Sequence, residues 1–158
     1  MTELALPKID KKTLEKKDYI FKSLAKIINP EHVLSHKDEI KPYETDGLSA
    51  YKQTPLAVVM PENTKEVSSI LKFCYEENIK VVPRGAGTGL SGGALPLQDA
   101  VLLSLGKFNK ILDIDFENKC VVTQPGVTNL GLTHAVQHKG FYYAPDPSSQ
   151  LACSIGGN

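Results

Sequence analysis

Net charge is missing from this 158-residue sequence, in which 18 Lys+Arg stand against 18 Asp+Glu. Nucleic-acid binding needs a basic stripe that this balance does not supply, so no nucleic-acid partner is expected. Long apolar runs are also missing. Residues 56–60 and 100–103 are strand-sized, far short of the roughly 20 residues that cross a bilayer, so no direct membrane insertion is expected. Residues 1–12, MTELALPKIDKK, hold neither an apolar core nor a small-residue cleavage site, and no secretory signal is expected. Cysteine is scarce: Cys74, Cys120 and Cys153 lie far apart with no CxxC pair, which suits reduced thiols and a cytoplasmic location better than a disulfide frame. Arginine is scarcer still, since Arg84 is the only one among the 18 basic residues. The rest, 41% hydrophobic and 23% charged, is the composition of an ordinary soluble domain that can bury about two thirds of its unfolded surface.

Between residues 10 and 28, Leu14, Ile20, Phe21, Leu24, Ile27 and Ile28 fall mostly on one helical face, and Asn29-Pro30 stops the pattern. Glu15 and Asp18 interrupt the lysines on the other side, which therefore reads as a solvated face rather than a membrane-surface one. Residues 31–55 are polar and proline-punctuated, and read as irregular chain on a surface. From Leu56 the pattern sharpens. LAVVM predicts a buried strand, Asn63 with Glu66 three residues later predicts a helix start, and Val67, Ile70, Leu71 and Cys74 recur at helical spacing. Residues 79–83 and 100–105 supply two more strands, so a parallel βαβ unit is expected. Residues 111–115 and 120–124 read as a hairpin, and 128–139 as a helix ended by Gly140.

The stretch PRGAGTGLSGGA, residues 83–94, packs five glycines (85, 87, 89, 92 and 93) between two strands. Glycine loses the most freedom on ordering, so this density predicts positive φ or a close approach to something. Amides turned inward in such a loop can cradle phosphate oxygens, although a flexible surface loop is the plain alternative. Arg84 opens the loop, where its guanidinium fork could pair with a phosphate or a carboxylate or serve as a structural ion pair. Residues 87–92 also match GxGxxG, with Asp113 at a suitable distance for a ribose contact. A Rossmann site, however, needs a helix straight after the glycines, and 93–99 with Pro96 in its middle cannot hold one. No Gly-Lys-Ser/Thr follows for a Walker A loop.

A second small-residue cluster lies near the end, APDPSS at 144–149 and ACSIGGN at 152–158. It is stiff enough to clasp a flat or phosphorylated ligand, and equally readable as a plain turn. The pairs His32/His36 and His134/His138 have i, i+4 spacing without a third ligand nearby in sequence, so no metal is expected. Cys153 has no identifiable activating base and reads as a packing thiol.

Together, YETDGLSAY (43–51), residues 55–61, PRGAGTGLSGGALPL (83–97), VVTQPGVTNL (121–130) and YYAPDPSSQLACSIGGN (142–158) resemble the flavin-binding half of glycolate oxidase D subunits. These are similar to D-lactate and D-2-hydroxyglutarate dehydrogenases of the vanillyl-alcohol-oxidase, or PCMH-type, FAD superfamily. The resemblance covers residues 39–158. It implies an α+β, partial PCMH-type FAD-binding fold: a small parallel βαβ sheet with helices and the start of an antiparallel sheet, preceded by an amphipathic helix. It divides the chain into a helical lead segment, 1–45, and an FAD-binding domain, 46–158, incomplete at its C-terminus.

Carried over position by position, the resemblance places the pyrophosphate loop on Arg84, Gly85, Ala86, Gly87, Thr88 and Gly89, with Leu90 and Ser91. It places further flavin contacts on Pro125, Gly126, Pro145, Asp146, Ser148, Ser149, Ser154, Gly156, Gly157 and Asn158. The implied activity is oxidation of a small 2-hydroxy acid, glycolate foremost, with D-lactate, D-2-hydroxyglutarate or a non-catalytic FAD-binding remnant as alternatives. The family's substrate-capping region follows the SIGGN block, so no catalytic residue is assigned and the chain is expected to be a truncated member. The implied partners are a second flavin subunit and an iron-sulfur subunit, through which the complex would lie at the periphery of the inner membrane. FAD is expected to be non-covalent. Several superfamily members attach it through a histidine four residues after the loop arginine, and that position here is Thr88.

Overall fold

A computed structural model of the chain describes residues 7–157; Asn158, expected at the cofactor, lies outside them. The lead segment forms two helices rather than the single one its periodicity predicts. Helices α1 (Lys11–Glu15) and α2 (Lys17–Ile27) meet at Lys16, whose φ of −88° and ψ of 7° leave the helical region. The start of α1 is set by Asp10, whose side chain accepts from the Lys12 amide. The Asp10 amide in turn donates to Asp99 Oδ2 at 2.6 Å. Helix α2 buries Ile20 and Leu24 completely.

The stretch read as irregular contains a 3₁₀ turn (Pro30–His32), strand β1 (Val33–Leu34), helix α3 (Lys37–Ile40) and a second 3₁₀ turn (Lys41–Tyr43). Two residues carry no period. Strand β1 exists because it pairs antiparallel with β2 (Ala57–Val59), Val33 opposite Val59.

Helix α4 (Thr64–Glu76) begins as its Asn63…Glu66 signature predicts: Asn63 Oδ1 accepts from the Glu66 amide at 3.0 Å, and the Glu66 carboxylate accepts from the Glu62 amide at 2.8 Å. Strands β3 (Lys80–Arg84) and β4 (Ala100–Ser104) follow. The sheet order is β1-β2-β4-β3, with β4 inserted between β2 and β3 and parallel to both. Every residue of β4 is buried, as befits a central parallel strand covered on both faces. Its alternation sorts the core. Val59, Val101 and Leu103 pack with Ile20, Leu24, Ile28, Ile70 and Cys74 under α2 and α4, whereas Val58 and Leu102 pack with Ile40 on the other side. No helix occupies 93–99, and β4 starts directly at Ala100.

Strands β5 (Ile111–Asp115) and β6 (Cys120–Thr123) form the expected hairpin, with Lys119 at φ 55° in its turn and Asp115 accepting from the Asn118 amide. Helix α5 (Asn129–Val136) is capped by Thr128 and passes through a 3₁₀ turn to Gly140, whose φ of 77° ends it. Among the described residues no helix is long and apolar enough to cross a membrane.

Candidate functional site

The glycine loop leaves the carboxyl end of β3, beside the carboxyl end of β4, where open parallel sheets place their ligand crevices. Arg84 O accepts from the Leu105 amide at 2.9 Å and ties the two strand ends together. Opposite the loop runs an extended pairing of the Pro125 region with the second cluster. Thr128 bridges Ser154, the Ile155 amide donates to Val127 O at 2.8 Å, and the Gly156 amide donates to Pro125 O at 2.8 Å.

Between loop and pairing lies a cleft of ≈330 Å³. It brings together Arg84, Gly85, Ala86, Gly87, Thr88, Gly89, Ser91, Pro125, Ser154, Gly156 and Gly157 from the expected set. Leu90 is 74% exposed at the loop tip, outside the lining. Gly126 packs instead against the carbonyls of Leu105 and Phe108, where a β-carbon would collide. Pro145, Asp146, Ser148 and Ser149 lie on the loop beyond α5 and do not line the cleft either. That loop is held by Asn129, which is 1% exposed. Its Nδ2 donates to Pro145 O at 2.9 Å and its amide to Cys153 O at 3.0 Å. The role of Asn129 has no sequence signature, because both partners are far along the chain.

The cleft suits a phosphorylated ligand on three counts. Among the described residues its lining contains no Asp or Glu side chain that would oppose an anion. Gly85 presents bare backbone, and a β-carbon there would collide with Ser154 Oγ. Ser154 Oγ is itself buried without a hydrogen-bond partner among the described residues, an expensive state for a hydroxyl that a ligand oxygen would relieve. Gly87, at φ 73°, gives the loop the left-handed residue its curvature needs. These residues fit FAD: loop amides and Ser154 for the pyrophosphate, with small residues allowing close approach. Cys153, read as a packing thiol, is buried but does contribute to the lining.

Arg84 is engaged inside the protein. Its Nη1 donates to Thr45 O at 2.7 Å and to Tyr43 O at 3.3 Å, and its guanidinium carbon lies 5.7 Å from the Tyr43 ring centroid. Burial lowers its pKa, with Asp46 and Tyr43 opposing that shift. Asp46 is 5% exposed; Oδ1 accepts from the Leu48 amide, and Oδ2 has no partner among the described residues.

A larger apolar groove of ≈490 Å³ lies between the hairpin and α5, lined by Ile114, Phe116, Val121, Leu132 and Val136 among others. Among the described residues its lining has neither the glycine loop nor an unpartnered buried polar atom, so nothing in it marks a phosphate site. Of the histidine pairs, His138 packs edge-on to Phe116 at 5.9 Å. Among the described residues no three His, Cys, Asp or Glu side chains gather as metal ligands would.

Comparison with known proteins agrees with this geometry. Residues 55–158 match the family described as FAD binding domain. The chain is 48% identical over 154 residues to glycolate oxidase subunit GlcD of Escherichia coli K12, covering 98% of this chain and 30% of the relative. It is 36% identical over its whole length to D-lactate dehydrogenase of Anaerostipes hadrus, 32% of whose length is covered. It is 34% identical over 92% of the chain to the mitochondrial D-2-hydroxyglutarate dehydrogenase of Arabidopsis thaliana, covering 26% of that protein. It thus spans about a third or less of these relatives. Among solved structures, 4-ethylphenol oxidase from Gulosibacter chungangensis superposes with a TM-score of 0.79 at 26% identity, over 98% of this chain and 30% of the other. p-Cresol methylhydroxylase gives 0.78 at 22% identity, over 95% and 30%, and so shares the fold. With the cleft and the loop where they are, the chain belongs to the FAD-binding domain family, in the PCMH-type α+β fold.

Proposed function

We propose that this chain is the FAD-binding part of a flavin-dependent 2-hydroxy-acid oxidoreductase whose substrate is glycolate, oxidised to glyoxylate. The observation that carries the FAD assignment is the convergence of the glycine loop with Ser154, Gly156 and Gly157 on a cleft that, among the described residues, has no Asp or Glu side chain and holds an unpartnered hydroxyl. Glycolate is favoured over D-lactate and D-2-hydroxyglutarate by 48% identity against 36% and 34%. When bound, FAD supplies an electron-pair acceptor for the hydride of a hydroxy acid's α-carbon. The chain's own residues bind and orient. The amides from Gly85 to Gly89 and the Ser154 hydroxyl would hold the pyrophosphate, with Pro125 and Gly156 lining the same cleft.

The FAD is held non-covalently in this reading. Thr88 stands in the lining with no imidazole to add to a flavin methyl carbon, and no histidine among the described residues lines the cleft. Residues 1–45 serve as a lead segment to a domain at 46–158, sharing its core through Ile20, Leu24 and Ile28. The relatives named as subunits support assembly with other chains. The resemblance adds a second flavin subunit and an iron-sulfur subunit, with this chain cytoplasmic and the complex peripheral to the inner membrane.

The test is to titrate the purified chain with FAD by flavin fluorescence. Turnover of glycolate, D-lactate and D-2-hydroxyglutarate is then assayed after adding the remaining part of the E. coli relative. Saturable FAD binding with glycolate turned over fastest is expected. FAD binding without turnover of any acid would make the chain a non-catalytic remnant, and no binding in either format would overturn the proposal. Acid precipitation of the loaded protein should leave the yellow colour in the supernatant; colour in the pellet would refute non-covalent attachment.

A further inference from the structure

The glycine loop rests on a segment of the chain that lies far from it in sequence and outside the cleft lining. The guanidinium of Arg84 folds back beneath its own loop, so that a β-carbon at Gly87 would collide with it. On its other side it donates to Thr45 O and Tyr43 O and faces the Tyr43 ring. Two residues beyond Thr45, Gly47 meets the same loop. A β-carbon there would stand 2.6 Å from Thr88 O and 2.7 Å from Gly89 O, both backbone atoms that cannot swing aside. Asp46, buried between these two contacts, gives the guanidinium a neighbouring negative charge. Residues 43–48 and the loop 84–89 are therefore joined at two points, by the Arg84 guanidinium at one and by close backbone approach at the other.

We infer that Arg84 is a positioning residue that clamps residues 43–48 under the glycine loop and holds its amides in the phosphate-binding arrangement, rather than a phosphate ligand. The inference rests on the FAD reading above and assigns within it a role to a segment that does not touch the cofactor. Nη1 alone serves both carbonyls, while Nη2 and Nε lie against Gly87 and the guanidinium carbon stands 5.7 Å from the Tyr43 ring centroid, so the contacts on three sides need the full breadth of a guanidinium. A lysine ammonium would keep the charge and lose that geometry.

The experiment compares wild type, Arg84→Lys, Arg84→Ala and Gly47→Ala, each as the full chain. FAD affinity is measured by fluorescence, and amide hydrogen exchange is measured on the apoprotein. The clamp predicts that Arg84→Lys and Arg84→Ala weaken FAD alike, by at least about tenfold. Gly47→Ala should do the same although Arg84 is intact. In all three variants exchange should quicken across 85–89 while β2 and β4 stay protected, which separates loop loosening from unfolding. Near-wild-type affinity in Arg84→Lys with unchanged loop exchange would make Arg84 a charge ligand and overturn the clamp. So would a Gly47→Ala variant indistinguishable from wild type. If Arg84→Lys does not fold, Tyr43→Leu removes the stack and is judged by the same exchange measurement. Failure of the wild type to bind FAD would count against the FAD reading alone, since the apoprotein exchange still decides the clamp.

Discussion

Gly85 and Ser154 face each other across the cleft so closely that the glycine's missing side chain is what leaves room for the serine hydroxyl. That hydroxyl is buried and unpartnered, so its cost to the apoprotein and its value to the ligand have opposite signs. Ser154→Ala should leave apoprotein stability equal or slightly higher, since removing an unsatisfied buried group recovers part of a penalty of about 1–3 kcal/mol. The same variant should weaken FAD by about tenfold, the worth of one hydrogen bond to a charged oxygen. Thermal melts of the apoprotein and a FAD titration check the pair; a loss of both stability and affinity would count against a ligand role for Ser154.

Leu24 tests how tightly the lead segment belongs to the rest. It is wholly buried on α2 within the cluster that includes Val59, Ile70 and Val101. Leu24→Ala should cost about 2–5 kcal/mol in urea unfolding, a large share of a typical total of about 5–15 kcal/mol. A change below about 0.5 kcal/mol, the range of surface substitutions, would show the helix to be loosely attached.

Asp99 ties three parts of the chain together: it is 2% exposed, and Oδ2 accepts from Lys80 Nζ at 2.7 Å and from the Asp10 amide at 2.6 Å. Burial pushes its pKa up, but the hydrogen bonds from Lys80 and Asp10 outweigh it and hold the carboxyl below its ordinary value. The folded pKa is thus below the unfolded one. The stabilisation is fully present above the unfolded value of about 3.9 and is lost as pH falls through the folded value. Asp99→Asn should be less stable than wild type at pH 7 by about 1–3 kcal/mol, and the gap should narrow by pH 3. Lys80 is 42% exposed, so solvent screening holds the loss toward the lower end of that range. Urea unfolding at both pH values decides it, and a gap that widens in acid would reverse the assignment.

Thiol reactivity should separate the cysteines. Burial pushes the Cys74 thiol up to about 11, and Cys153 is buried, whereas Cys120 is exposed on the hairpin. A thiol reagent at pH 8 should modify Cys120 rapidly and Cys74 only on unfolding, as peptide mapping of the native protein would show. Early modification of Cys74 would mean that α4 opens from the sheet.

Features that depend on near neighbours were legible in the sequence. The alternation and apolar runs of β2, β3 and β4, the Asn63…Glu66 start of α4, the hairpin turn and Gly140 as a stop all follow from backbone geometry within a few residues. The glycine loop was legible for the same reason, since Gly87 at positive φ is a local demand. Long-range packing decided what no window of sequence contains. Strand β4 slots between β2 and β3 because its apolar run Ala100 to Leu103 needs cover on both faces. Strand β1 forms only because β2 offers it an edge. Arg84, which sequence reasoning could assign equally to a phosphate or to the protein, donates to Tyr43 and Thr45 because the tertiary fold brings two carbonyls within reach of its half-buried guanidinium, where a lost water contact must be replaced by a protein acceptor.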